Sequence, residues 1–354
     1  MGYRKPIFIM KNLFTGILSV LILSSCASTE LMHMSVLRAA PVTLPSYVKN
    51  VVVANRTQVS KESKVFDVVD KVVTLEGAKL DKEAAEQTIS GLADELRKNN
   101  RFDEVKELSN TDLTTNVPGG FPAPLSWDIV ERYCSESNAD ALFCLELFDT
   151  DSKIDYSVHK TSVKTPFGYV PLIEQQANMR TLVKAGWRIY DVRGRRILDE
   201  AAVAKALVYH GRGINPMLAV QALIDRKEAV KEVGNTAGHA YAFRIIPLWI
   251  RVSRNYYVRG THNFKIAKRK ARTGNWDGAA ELWHQETTHP HKKVAGRACY
   301  NMAIISEING DLDMAIQWAQ QSYENYNNRR ALNYVNLLKY RQENDAIAAS
   351  QVTE

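Results

Sequence analysis

One six-residue pattern occurs twice near the C-terminus. Gly274-Asn275-Trp276-Asp277-Gly278-Ala279 returns as Gly310-Asp311-Leu312-Asp313-Met314-Ala315, an offset of 36 residues. Ala267 pairs with Ala303 upstream, and Trp283 with Ala319 downstream. A glycine can end one helix, an acidic residue behind it can cap or start the next, and a small alanine lets the two helices approach closely. Such a duplication confines this part of the chain to stacked helical hairpins, which bury a continuous core only by packing on one another. The breakers place helices at 261–272, 276–286, 294–308, 312–325 and 329–342, the last opening a third unit or capping the stack.

The pattern resembles the tetratricopeptide repeat, whose period is about 34 residues. The two extra residues fit the link Thr287–Lys293, which contains His289-Pro290-His291. The resemblance makes Ala267, Gly274, Ala279, Ala303, Gly310 and Ala315 packing positions and gives the stack a curved face suited to a protein or peptide partner. Helix A residues line that face, so Asn263, Lys268, Arg269, Arg297, Tyr300 and Asn301 are candidate partner contacts. Their bases favour an acidic partner and would act on association rate more than on affinity.

Upstream the periodicity changes. Val48–Asn55 is rich in β-branched residues and reads as a strand. Asp81–Asn99 has helical spacing, with Ala84, Ala85, Thr88, Ile89, Leu92 and Leu96 on one face. Further strands are expected at 101–105, 140–148, 153–164 and 177–190, with a short helix at 126–135 and breaks at Pro166, Gly168 and Pro171. Asp191–Arg195 reads as a hairpin turn into 196–200. Tyr209-His210-Gly211-Arg212-Gly213 reads as a turn, and Ala219–Ala242 as one long helix weakened by Gly234 and Gly238. The fold class is α+β: a mixed α/β sandwich domain followed by an all-α tetratricopeptide-like repeat domain. Leu96, Phe102 and Val105, then Trp187, Tyr190 and Asp191, resemble steps in periplasmic lipoprotein domains of the curli-secretion and penicillin-binding-protein-activator type.

The N-terminus bears on location. Leu13–Leu23 is almost wholly apolar and too short for a comfortable span of about 20 residues. It runs into Leu23-Ser24-Ser25-Cys26, which resembles the lipobox of a bacterial lipoprotein signal peptide, and the chain as a whole resembles a lipoprotein of Bacteroidetes type. The resemblance implies removal of residues 1–25, lipidation (palmitate among the chains) at Cys26, and a body at the periplasmic face of the outer membrane. Met10 is an alternative start. The expected organisation is a signal peptide at 1–25, a tether at 26–45, the α/β domain at 46–258, repeats at 259–345 and a flexible tail at 346–354. Losing Arg4, Lys5 and Lys11, with no acid in 1–26, takes the formal charge from +7 to +4. That excess is too diffuse for a nucleic-acid footprint. The densest basic run, Lys265–Arg272, suits a solvated helix face, or attraction to acidic lipid head groups or an acidic partner.

After Cys26 the cysteines are Cys134, Cys144 and Cys299. An odd number leaves at least one unpaired, and Cys134 and Cys144 read as small buried hydrophobes or as a bridge. His284, His289 and His291 cluster without a metal-binding spacing. No Gly-x-Ser-x-Gly or His-Glu-x-x-His pattern is present. Neither metal nor cofactor is expected, nor is an enzyme. The reading is an anchored envelope lipoprotein that binds a protein or peptide partner. The alternatives are a structural subunit of an outer-membrane assembly and an enzyme acting on envelope polymers.

Overall fold

The computed structural model describes residues 28–57, 71–108, 111–114, 117 and 120–353. Cys26 and the apolar run lie outside them. In chain order the elements are β1 (Thr29–Arg38), β2 (Asn50–Asn55), α1 (Lys71–Arg97), β3 (Glu104–Leu108), α2 (Trp127–Ser137), β4 (Ala141–Thr165), β5 (Gly168–Asp191), β6 (Arg196–Gly213), α3 (Pro216–Gln221), α4 (Arg226–Ala242), β7 (Leu248–Tyr257), α5 (His262–Arg272), α6 (Trp276–Gln285), α7 (Lys292–Ile308), α8 (Leu312–Glu324) and α9 (Arg329–Thr353). No helix among the described residues is long and apolar enough to cross a membrane. Two compact units result. One joins the chain up to Arg38 with Trp249–Ala346, and the other comprises Ala39–Leu248 with the chain from Ile347.

The second unit is the expected mixed α/β sheet domain. Its sheet has the order β3-β2-β4-β5-β6. β2 runs parallel to both β3 and β4, while β5 and β6 return antiparallel. Parallel neighbours need crossovers, and α1 and α2 supply them. Alternation along the strands separates two layers. Val51, Val53, Phe143, Leu145, Trp187 and Ile189 pack with α1 and α4, through Leu92, Leu96, Val233 and Tyr241. Val52, Ala54, Leu142, Cys144 and Tyr190 pack with α2, through Val130, Tyr133 and Cys134. Cys134 and Cys144 are free and buried, so the bridge is not formed.

Gly234 and Gly238 do not weaken α4 without return. A Cβ on Gly238 would collide with the Thr88 carbonyl of α1, one on Gly234 would lie 2.8 Å from the Ala84 carbonyl, and one on Gly91 would strike the Asn235 carbonyl. The bare backbones are what allow α1 and α4 to cross this closely.

The fourth strand does not follow a break, because β4 runs unbroken from Ala141 to Thr165 and pairs along its length with β5. Pro171 fits because beyond Gln175 β5 has no neighbour except β4, so an edge position absorbs the missing N–H. Tyr209–Gly213 is the end of β6, not a turn. The single helix at 219–242 is two: Asp225 caps α4, its carboxylate accepting from Lys227 N at 2.8 Å. The tether is ordered from Ser28 onward, and β1 pairs with β7. The expected tail is helical as far as Thr353, continuing α9, and in it Gln351 is buried and exchanges hydrogen bonds with the Ala40 backbone at 2.8 and 2.9 Å.

The first unit is a stretch of consecutive helices beside the β1–β7 pair. The α5–α6 and α7–α8 turns are equivalent. Gly274 and Gly310 take φ of +79° and +82°, which glycine adopts without penalty. The next residue then caps the following helix: Asn275 accepts from Gly278 N and Asp311 from Met314 N, both at 2.9 Å. Ala267, Ala279, Ala303, Ala315, Trp283 and Ala319 are all fully buried.

Candidate binding site

Within the helical unit the β1–β7 pair, α7 and α9 border an open, shallow cavity of about 380 Å³. β1 contributes Thr29, β7 contributes Ser253, Arg254 and Asn255, α7 contributes Tyr300, and α9 contributes Arg330, Asn333, Tyr334 and Leu337. The α9 residues fall at helical spacing, so one face of that helix turns to the cavity.

Beneath it lies a buried carboxylate. Glu307 accepts from Arg254 Nε at 2.8 Å and Nη2 at 2.7 Å, from Arg341 Nη1 at 2.8 Å and from the Tyr334 hydroxyl at 2.5 Å. Burial alone would raise its pKa. The hydrogen bonds from Arg254, Tyr334 and Arg341 outweigh it, and the group stays below the ordinary carboxylate value. Burial pushes the Tyr300 hydroxyl up to about 12, so it stays a neutral phenol. Arg341 also meets Asp345 at 3.4 Å, so the charges under the cavity balance. The remaining cation is Arg330, exposed at the rim, 3.5 Å from the Thr29 hydroxyl and 5.9 Å over the Tyr257 ring. None of the lining residues is acidic. Aromatic faces, exposed amides and one cation with no opposing acid suit a polar, extended ligand bearing a carboxylate.

The α/β unit holds another buried carboxylate, Glu146, which does not line the cavity of that unit at α1 and α4. Arg56 Nη1 donates to it at 2.8 Å and the Tyr190 hydroxyl at 2.6 Å, while Arg188 lies 3.6 Å away. The guanidiniums also bind the carbonyls of Pro122 and Ala123 at 2.7 Å each. This cluster fastens a loop to the sheet. A cavity of about 500 Å³ beside α1 and α4 is lined by Lys231, Glu228 and Glu232, whose charges are engaged with Glu83, Tyr209 and one another.

The family described as "Domain of unknown function (DUF8603)" matches residues 48–257, more than half the sequence. The chain belongs to DUF8603. A second family, "Domain of unknown function (DUF6340)", matches residues 265–343. The first match of this DUF8603 member thus ends with β7, and the second covers the helices through most of α9. No curated protein matches it. A neuraminyllactose-binding hemagglutinin homolog from Helicobacter pylori is 12% identical, with 55% of this chain and 81% of that one covered at a TM-score of 0.23. A PelC dodecamer from Paraburkholderia phytofirmans is 16% identical, with 58% and 98% covered at 0.18. Likenesses this low carry no functional weight.

Of the candidate contacts read from the sequence, Tyr300 lies in the cavity wall. Asn301 is fully buried, and its amide exchanges two 2.7 Å hydrogen bonds with the Tyr257 backbone, so it fastens β7 to α7 and offers a partner nothing. Lys268 pairs with Glu30 at 2.7 Å, Asn263 donates to Glu286 at 2.8 Å, and Arg297 donates to the Arg259 carbonyl at 2.7 Å while lying over Tyr257. Arg269 is exposed on α5. His289 accepts from His291 N, and His284 packs edge-on against Trp318. Among the described residues no three His, Cys, Asp or Glu side chains converge as a metal set. Sequence reasoning missed Thr29, Arg254, Asn255, Arg330, Asn333, Tyr334 and Leu337. The signal for α9 was available in the i, i+3, i+4, i+7 spacing from Arg330 to Leu337.

Proposed function

We propose that this protein is a membrane-anchored envelope lipoprotein whose helical unit binds a segment of a protein partner. The observation that carries the binding reading is the acid-free cavity of about 380 Å³ with Arg330 at its rim and Tyr300 in its wall. An extended peptide carrying an Asp, a Glu or its terminal carboxylate would place that group at Arg330 and its backbone against Asn255 and Asn333. The helical hairpins read as tetratricopeptide-like on their 36-residue offset, equivalent glycine turns and buried alanines. Anchoring rests on Leu23-Ser24-Ser25-Cys26, and outer-membrane placement on the resemblance of that segment.

Two experiments test this. A photocrosslinker at Asn333 should capture one partner in intact envelopes, and Arg330→Glu should reduce its yield about tenfold, the loss of roughly 1.4 kcal/mol. Equal yield from both proteins removes the cavity as the site. Mass spectrometry of the mature N-terminus should find acylated Cys26. An unmodified start elsewhere removes the anchor.

A further inference from the structure

The β4–β5 hairpin has a property that peptide binding leaves unused. β6 accompanies β5 only as far as Gln175, so beyond Val158 and Gln175 the sheet is a two-stranded ribbon ending at Pro166-Phe167. Isolated two-stranded ribbons are marginal in water. Register pairs share a face, which puts Tyr156, Val158, Lys160, Ile173, Lys164 and Tyr169 together on one side. Tyr156, Val158, Ile173 and Tyr169 are between 56% and 71% exposed, and Phe167 at the tip is completely so. At the tip the opposite face is apolar too, with Val163 and Val170 exposed. Lower down that face turns polar: Asn178 donates to Asp155 at 3.0 Å, and Arg212 to Gln176 at 3.2 Å. The ribbon is therefore amphipathic at its base and apolar all round at its end.

Charge selects the occupant. Lys160 and Lys164 lie on the aromatic face with no carboxylate beside them there, and the ribbon's acid, Glu174, lies on the opposite face in register with His159. Two copies apposed through this face would bring lysines against lysines. Aromatic side chains at an apolar tip, with lysines a few residues behind, match a bilayer interface in which rings enter the head-group layer and ammonium groups meet anionic lipid.

We propose that the outer part of the β4–β5 hairpin docks on a lipid surface bearing anionic head groups, with Phe167 and Tyr169 entering it and Lys160 and Lys164 at its phosphates. This contact is separate from any acyl chain at Cys26. The test uses the full chain carrying Cys26→Ser, with Tyr169→Cys labelled by an environment-sensitive dye. Cys134, Cys144 and Cys299 are buried, which leaves the introduced thiol as the reactive one. The dye should shift to the blue on vesicles of phosphatidylglycerol with phosphatidylcholine and stay unshifted on phosphatidylcholine alone. Lys160→Gln with Lys164→Gln should weaken the response about 30-fold, as expected for two lysines lost from an anionic surface. Phe167→Ser should reduce the shift at saturation. An unshifted dye on anionic vesicles overturns the proposal. So does a shift without vesicles that grows with protein concentration, which would assign the hairpin to a second copy, or one produced only by an added acidic protein.

Discussion

Glu307 and Glu146 are both almost fully buried, and each meets arginines and a tyrosine hydroxyl. Their surroundings differ. Around Glu146 the arginines spend their remaining donors on the carbonyls of Pro122 and Ala123 and on Glu200, so the cluster fastens a loop to the sheet. Around Glu307, Arg254 and Tyr334 also line a cavity. The same ion set thus seals one unit and supports an opening in the other. A buried ion pair is informative about function only through what its outer side faces.

The largest expected effect comes from removing either carboxylate. Glu307→Ala and Glu146→Ala should each cost about 3–5 kcal/mol, because two guanidiniums lose their buried partner. Denaturant unfolding measures both. Hydrogen exchange separates them: Glu146→Ala should deprotect the Leu125 amide, which donates to Tyr190 at 3.1 Å, while Glu307→Ala should leave it protected. Equal deprotection in both variants would break the contrast.

The next effect probes the helix crossing that the sequence concealed. Gly238→Ala drives a methyl group into the α1 backbone at Thr88 and should destabilise by about 1–3 kcal/mol, although alanine favours an isolated helix. A gain in thermal stability would show that α1 and α4 can move apart. Ala279→Leu and Ala315→Leu should cost a similar amount in the helical unit, and unchanged melting for both would remove the repeat register.

These positions also show what the sequence made legible. The helices at 262–324 fall within two residues of their expected limits because glycine breakers, caps and alanine positions are local signals. β2 and the first part of β4 were readable as strands from their β-branched and apolar runs. What escaped was non-local. Thr29–Arg38 looked like a tether, since its only strand partner lies more than 200 residues away. Gly234 and Gly238 looked like defects, since the reason for them is the α1 backbone. Pro171 looked like a strand end, since edge status depends on where β6 stops. At the site, Tyr300 was reachable from helix periodicity. Arg254 and Arg330 come together only through the pairing of β7 with the helices.

The smallest effect belongs to that misread first strand. Glu30 lies on β1, with Lys268 at 2.7 Å, Arg272 at 2.5 Å and the Tyr256 hydroxyl at 3.1 Å. Partial burial works to raise its pKa, but the hydrogen bonds from Arg272, Lys268 and Tyr256 prevail and bring it from 4.5 down to about 2. A carboxyl with a depressed folded pKa stabilises the fold above its unfolded value, and that contribution is lost as protons are taken up between the two. Stability should therefore fall with acid from about pH 4.5 towards 2 as β1 loses its hold on α5. The pair is partly exposed, so screening limits the effect to about 1 kcal/mol. Glu30→Gln should flatten this part of the pH profile and lower stability at neutral pH by the same amount, measured by urea unfolding at several pH values. An unchanged slope would mean that β1 is held by its backbone pairing with β7 alone.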